Sequence, residues 1–441
     1  MGIILLKHWE EGMETIIFHI DVNSAYLSWT AVKLLKEATK DEKKIDIRNI
    51  PAIIGGDREK RHGIVLAKSI SAKKFGIVTG EPIANALQKC PNILIVPPEH
   101  GYYNEQSHKL MNLLRTFTPD IEQVSVDECY MDFSGIQNEY PSPLACAYKI
   151  KDTVKEKLGF TVNVGISDVK VLAKMASDFT KPDKVHTLYR REIKEKMWQL
   201  PVEELYMAGK SSVNTLHKLG IYNIGQLATS PEYILEAHLK KHGKILWEYA
   251  NGIDKSVVNT KREELKGVGN SITLPYDLDN MEEIEKILLQ LSEKVAGRLR
   301  KGKQMAKTVA VEVKYNDFIK ASRQTTLDRC TDSGTEIYQL SKELFRELWE
   351  KDGNKSVRLL GIRTANLEEQ GALEQMSIMD IMAQTTKKQQ NATTNISREK
   401  MKKLDKALDA IKNKYGEDKI KRASLLAEQT VDMKNKKYYE E

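Results

Sequence analysis

The spacing of apolar residues changes period repeatedly along the chain, and each change marks an element. Thr15-Ile-Ile-Phe-His-Ile-Asp21 is an apolar, β-branched run that predicts a buried strand ending in a carboxylate, and Ser24–Lys36 then takes up helical spacing. Glu37–Arg48 is a charged connector. Ile50–Ile54 and Gly63–Leu66 read as strands separated by Gly55-Gly56-Asp57, and Ser71–Lys74 opens a basic helix. A strand at Ile93–Val96, a helix over Tyr103–Thr116 and strands near Glu122–Val126 and Cys129–Phe133 follow. A helix over Leu144–Lys157, a strand at Thr161–Ile166 and a helix over Lys170–Thr180 come next, and Pro182-Asp183 closes a first globule. The alternation predicts an antiparallel or mixed sheet backed by two helices, in the ferredoxin-like βαββαβ order.

From about 188 to 258 strand signals vanish. Short helices alternate there with glycine turns at Ala208-Gly209-Lys210, Leu219-Gly220 and His242-Gly243-Lys244, which predicts a small all-α domain. The charged stretch Lys261–Lys266 leads into a second α/β module. Its elements are a strand at Ile272–Leu274, a helix over Glu282–Lys301, strands at Thr308–Tyr315 and Arg323–Leu327, a helix over Glu336–Lys351 and a strand at Val357–Ile362. The tail after about 368 is polar. It holds a Gln/Asn/Thr-rich linker, Gln384–Asn395, and an amphipathic segment with Leu404, Leu408, Ile411 and Tyr415 at helical spacing, which could dock on the chain itself or on a partner.

Composition narrows the class. A chain of 441 residues exceeds one domain at roughly 100–200 residues each, and 41% hydrophobic with 30% charged residues suits well-filled cores under a charged surface. The net charge of +7 permits a polyanionic partner without requiring one. Cys90, Cys129, Cys146 and Cys330 form no CxxC pair, so neither a disulfide framework nor a structural zinc site is indicated, and a cytoplasmic setting is expected. No apolar run approaches the roughly 18 residues of a membrane span, and no membrane partner is expected.

The candidate chemistry lies in three acids. Asp21 ends the first strand, while Asp127 and Glu128 sit at a later strand junction, so a ferredoxin-like sheet could bring them together. Clustered carboxylates raise one another's pKa values. Two Mg²⁺ ions about 3.5–4 Å apart would relieve that repulsion while activating an attacking oxygen and stabilising a leaving one, which makes phosphoryl transfer the natural reaction class. Each acid taken singly could equally be an ordinary strand-end or turn residue.

The blocks His-Ile-Asp-Val-Asn-Ser-Ala-Tyr at 19–26, Ser-Val-Asp-Glu at 125–128, Val-Gly-Ile-Ser at 164–167 and Ala-Lys-Met-Ala-Ser-Asp…Lys-Pro at 173–182 resemble, in order, the Y-family translesion DNA polymerases of the DinB/UmuC type. The resemblance spans about residues 15–365, and the wording Asp21-Val-Asn23 leans toward the UmuC side. It implies an α+β, multidomain fold: a ferredoxin-like palm (14–23 and 98–187), small fingers (24–97), an all-α helix-hairpin-helix thumb (188–258), a tether (259–263) and a separate α/β little finger (264–368). An N-terminal extension (1–13) and a tail (369–441) flank these.

By the same resemblance Asp21, Asp127, Glu128 and the Val22 carbonyl would hold two Mg²⁺ ions, and Tyr26 would be the steric gate against the ribose 2′-hydroxyl. Asn23, Ser24, Ala25, Tyr26, Lys73 and Lys181 would bind the incoming dNTP. The sequence departs from the family pattern at Ala67, Ile70 and Lys73, where Thr, Tyr and Arg are usual, so triphosphate contacts should be fewer and less directional. Lys174 could be a site-facing cation or a solvated helix residue, and the solvated reading is preferred. Gly209 and Lys210 would grip primer–template DNA from the thumb, with Gly209 supplying a left-handed turn and Met207 replacing a usual Gly; a plain helix-capping turn is the equal alternative. Lys301, Lys303, Lys307, Lys314, Lys320 and Arg323 would track its backbone from the little finger. Gln375, Met376, Ile378 and Met379 resemble a sliding-clamp peptide, with Met379 in place of Phe. The implied protein is a monomeric polymerase that lacks proofreading. A catalytically weak, clamp-recruited DNA-binding relative and a palm-type nucleotide cyclase are the alternatives.

Overall fold

The computed structural model describes residues 15–38, 45–56, 63–261, 264–371, 388–416 and 420. The chain divides into two units. Among the described residues the first ends at Lys261 and the second begins at Glu264.

The first unit contains β1 (Ile17–Val22), β2 (Ala52–Gly55), β3 (Val65–Lys68), β4 (Leu94–Val96), β5 (Ile121–Gln123), β6 (Glu128–Asp132), β7 (Val162–Ser167) and β8 (Val185–Thr187). Its main sheet runs β5-β6-β1-β7-β8, with β1 central and antiparallel to both neighbours. All six β1 residues are buried because helices cover both faces. Phe18, Ile20 and Val22 join a core with Tyr103, Leu110 and Ile150 from the helices His100–Leu114 and Pro143–Leu158. Ile17 packs on the opposite face, against Ala173 of the helix Lys170–Asp178.

Two expectations need correction here. Two helices back one face and a third covers the other. The chain also does not close at Pro182-Asp183: it continues into β8, parallel to β7. Three residues are too short for a periodic pattern to announce a strand.

The third helix approaches β7 because Gly165 has no side chain. A Cβ there would lie 2.0 Å from the Ala173 carbonyl oxygen and 2.4 Å from the Ser177 nitrogen. That contact sets the depth of the helix carrying Lys174.

A smaller sheet, ordered β3-β2-β4, packs Ala52 and Ile54 on Leu27 and Ala31 of the first helix, Ala25–Glu37. The basic helix expected from Ser71 is a single turn, Ile70–Lys73, capped by the Ser69 hydroxyl. A further helix, Ile83–Lys89, was not foreseen. Beyond Thr187 the first unit is helical through Lys210–Lys218, Ile224–Thr229, Glu232–Leu239 and Lys241–Ala250.

The second unit is a four-stranded antiparallel sheet ordered β11-β10-β12-β9, built from β9 (Gly267–Leu278), β10 (Gln304–Tyr315), β11 (Lys320–Thr331) and β12 (Val357–Glu369). Val309, Val311 and Val313 face the helices Met281–Lys301 and Gly334–Lys351, and the intervening residues form an open face. The strands are longer than predicted because polar alternation on that face hides their ends. Lys388–Tyr415 is helical, so the expected Gln/Asn/Thr linker becomes helix from Lys388 onward; once a helix is nucleated, extension through weak formers costs little. This helix docks on the second unit through its acidic side. Asp409 takes a bidentate pair from Arg300 at 2.5 and 2.8 Å, while Leu404 and Ile411 stay exposed.

Among the described residues no helix is long and apolar enough to cross a membrane.

Candidate active site

The register of β1 against β6 places Asp21 directly opposite Glu128. The Val22 N–H donates to the Asp127 carbonyl at 3.1 Å, which draws the third acid alongside. Ser125 braces that junction: its hydroxyl lies 2.6 Å from Asp127 Oδ1 and accepts from the Glu128 N–H at 3.0 Å. The sheet therefore sets Asp21 beside the Asp127-Glu128 pair, which lies far from it in sequence.

Two lysines from one helix and its following turn reach these acids. Lys174 Nζ lies 2.8 Å from Glu128 Oε1 and 3.3 Å from Asp178 Oδ2. Lys181, beside the cis peptide to Pro182, pairs with Asp21 and with Asp178 at 2.9 Å. Lys174 is only 8% exposed, which overturns its reading as a solvated residue. Its helix packs on β1 and β7, and its ammonium meets Glu128 and Asp178.

Burial pushes the Asp21 carboxyl up to about 7 against the opposing charge of Lys181. Burial also raises Asp127, with the Ser125 hydroxyl opposing. Burial would raise Glu128 too, but nearby His19 and the hydrogen-bonded Lys174 ammonium outweigh it and hold that carboxyl well below its usual range. His19 stands two residues before Asp21, on the same strand face. Its Nε2 lies 3.7 Å from Glu128 Oε2, and its Nδ1 is 2.8 Å from the Ser177 hydroxyl. Sequence reasoning passed over His19 and Ser177, although the period-two spacing of His19 and Asp21 carried the signal.

The donor set suits a hard divalent cation by chemistry. Its oxygens are carboxylates, and the burial that raises Asp21 and Asp127 is the penalty a bound cation would offset. Among the described residues no three His, Cys, Asp or Glu side chains converge on one point. Glu128 is turned to Lys174, and Asp21 to Lys181.

Tyr26 opens the first helix with its ring stacked on Tyr103, centroids 4.4 Å apart at 10°, and with His100 edge-on at 5.9 Å. Thr30 ties the pair together, donating to the Tyr26 carbonyl at 2.7 Å and lying 2.9 Å from the Tyr103 hydroxyl. Ser24 caps this helix in a left-handed conformation, φ 48°, so the first-turn N–H groups, including that of Ala25, emerge from the helix end.

Asn23 requires a correction as a nucleotide ligand. Its N–H donates to the Thr161 carbonyl, and its side chain bonds Asn163, Thr161 and the Asp183 N–H, so it braces β1 to β7 and to the turn after Lys181. Lys73 stands exposed on the one-turn helix, close enough to Lys68 to depress it further after burial.

Of the expected DNA contacts, Gly209 is not left-handed (φ −73°); it caps the helix begun by Lys210, and Met207 takes the positive φ of 72° instead. Arg323 pairs across from Val311, on the helix side of the sheet, and binds Glu347 at 2.6 Å, which removes it from the open face. Lys314 and Lys320 oppose each other at one end of β10, whereas Lys301 and Lys303 lie at its other end and Lys307 at a bulge, so the six cations do not form one patch. Gln375, Met376, Ile378 and Met379 lie outside the described residues.

Residues 20–178 match the impB/mucB/samB family model, and residues 265–378 match the model of that family's C-terminal domain. The chain is 45% identical over 414 residues to a protein of Clostridium acetobutylicum named DNA polymerase IV, covering 94% of this chain and 99% of that one. This chain belongs to the impB/mucB/samB family. It is a Y-family member of DinB type, which corrects the lean toward UmuC drawn from Asp21-Val-Asn23. It is also similar to DNA polymerase IV 1 of Bacillus subtilis, 32% identical with 98% and 99% of the two chains covered. In fold, this impB/mucB/samB member resembles a solved Y-family DNA polymerase chimera with a TM-score of 0.69 at 23% identity, covering 80% of this chain and 98% of that one.

Proposed function

We propose that the chain is a template-directed, low-fidelity translesion DNA polymerase that extends a primer 3′-end with deoxynucleotides in DNA damage tolerance. The observation that carries this reading is the cross-strand pairing of Asp21 with Glu128, with Asp127 alongside, in a member of this family. The division into palm, fingers, thumb, tether and little finger at the boundaries given above is part of the proposal.

Asp21, Asp127, Glu128 and the Val22 carbonyl would hold two Mg²⁺ ions, which when bound lower the charge barrier between the primer 3′-oxygen and the α-phosphorus. The chain's own residues do the rest by positioning. Lys174 and His19 fix Glu128, and Ser125 fixes Asp127. Lys181, paired with Asp21 and Asp178, would pass to a triphosphate oxygen. With Ile70 and Ala67 donating nothing, Lys73 and the first-turn N–H groups near Ser24 and Ala25 complete the phosphate contacts. Tyr26 excludes a 2′-hydroxyl because Tyr103 prevents its ring from yielding.

The primer oxygen attacks the α-phosphorus and pyrophosphate leaves. DNA would be held by backbone contacts from Lys210, Lys301, Lys303, Lys307, Lys314 and Lys320, which are sequence-independent and salt-sensitive. The protein would act as a cytoplasmic monomer recruited by a sliding clamp through residues 375–379.

Primer extension with Mg²⁺ tests the proposal. The unmodified chain should add deoxynucleotides opposite a template and Asp127→Ala should not, while DNA binding persists. Extension by Asp127→Ala would remove the site assignment, and turnover of GTP alone would point to a cyclase.

A further inference from the structure

The hairpin between β10 and β11 presents Phe318 in an unusual setting. The residue is 58% exposed and holds a left-handed backbone, φ 68°, a conformation that bulky side chains avoid. The turn is built to keep it there. The Phe318 N–H donates to the Tyr315 carbonyl at 3.0 Å, the Tyr315 N–H to the Ile319 carbonyl at 3.0 Å, and the Ile319 N–H to Asp317 Oδ1 at 3.0 Å.

Two cations from different strands meet the ring. Lys314 Nζ lies 4.4 Å from its centroid and Arg358 Cζ lies 4.6 Å from it. Lys320 stands directly across the ladder from Lys314, an arrangement of like charges that costs stability unless an anion lies nearby. Of the nearby acids, Asp317 pairs with Lys355 at 2.8 Å and Asp277 lies 3.7 Å from Arg358, while Glu312 stands exposed two residues before Lys314 on β10.

We propose that Phe318 is a positioning residue for nucleic acid, its ring holding Lys314 and Arg358 as a fixed pair of cations that grips the phosphodiester backbone. The ring quadrupole attracts both cations and removes much of the freedom that a solvated lysine or arginine would lose on binding. The pair adjoins the open sheet face. There Gly361 and Ser271 lie side by side, and Glu312 stands between Gly361 and Ser322. This inference rests on the polymerase reading for the identity of its ligand.

The experiment is an anisotropy titration of a fluorescein-labelled primer–template duplex with the full-length chain at several salt concentrations. Phe318→Leu should weaken binding roughly three- to tenfold and flatten the dependence on salt, with Phe318→Tyr restoring both. Lys314→Ala with Arg358→Ala should weaken binding more, and adding Phe318→Leu to that pair should change little. Unchanged affinity in Phe318→Leu at an unchanged melting temperature, a further equal loss when it is added to the cation pair, or full affinity in the cation pair alone would each overturn the proposal. Failure of the unmodified chain to bind the duplex would count against the polymerase reading instead.

Discussion

Asp21 and Glu128 face each other across adjacent antiparallel strands, yet each carboxylate is held by a different lysine, Lys181 for the first and Lys174 for the second. The two pairs split the repulsion that a bare acid cluster would suffer. They also leave Asp21 the poorer compensated of the two, since it is raised while Glu128 is lowered.

Lys174→Met should remove the main cation from Glu128 and leave a part-buried carboxylate facing Asp21. With Glu128 still 27% exposed, the loss in stability should be about 1–3 kcal/mol, below that of a fully buried pair. Chemical denaturation gives this number, and primer extension should fall with it.

Asp21 imposes a pH dependence in the absence of divalent ions. Its carboxyl is raised from 3.8 to about 7, so its contribution is fully present below the lower value and is lost as pH rises through the upper one. The unmodified chain should lose melting temperature relative to Asp21→Asn between those two values. A pH-independent difference between the two proteins would contradict this.

The ring of Tyr26 owes its orientation to Tyr103. Tyr26→Ala should admit ribonucleotides, and Tyr103→Leu should relax sugar discrimination by a smaller factor, the stacking being worth about 0.5–1.5 kcal/mol. The ratio of ribonucleotide to deoxynucleotide insertion measures both, and Tyr103→Phe should keep the native ratio.

Gly165→Ala should push the helix Lys170–Asp178 away from β7, because the added carbon has backbone on two sides. A destabilisation of about 3 kcal/mol or more is expected, together with lost extension as Lys174 and Ser177 shift. Thermal melting and primer extension check the two effects.

Arg300→Ala should release the tail helix. A bidentate charge-assisted contact to Asp409 is worth about 1.5–3 kcal/mol, and Asp405 would be left buried nearby. Faster amide exchange across residues 403–415, with the β9–β12 sheet unchanged, is the expected readout.

Much of this was legible in the chain. The apolar run into Asp21, the later Asp127-Glu128 pair and the Val-Gly-Ile-Ser block announced elements, acids and family, because strand period and motif spacing are local properties of a sequence. Gly165 could be read as part of a motif, but not as the point where a helix touches a strand.

The sequence by itself determined the main strands and helices apart from β8 and Ile83–Lys89, the three acids and the polar alternation of the second unit. Only the tertiary structure decided which charges meet. Lys174 looked solvated until β1 and β7 covered its helix, Asn23 looked like a ligand until three neighbours claimed its amide, and Arg323 looked free until the β10 register turned it to Glu347. Side-chain period is local, whereas register, close approach and burial arise between segments far apart in the chain, and these set both the energy of a charge and its partner.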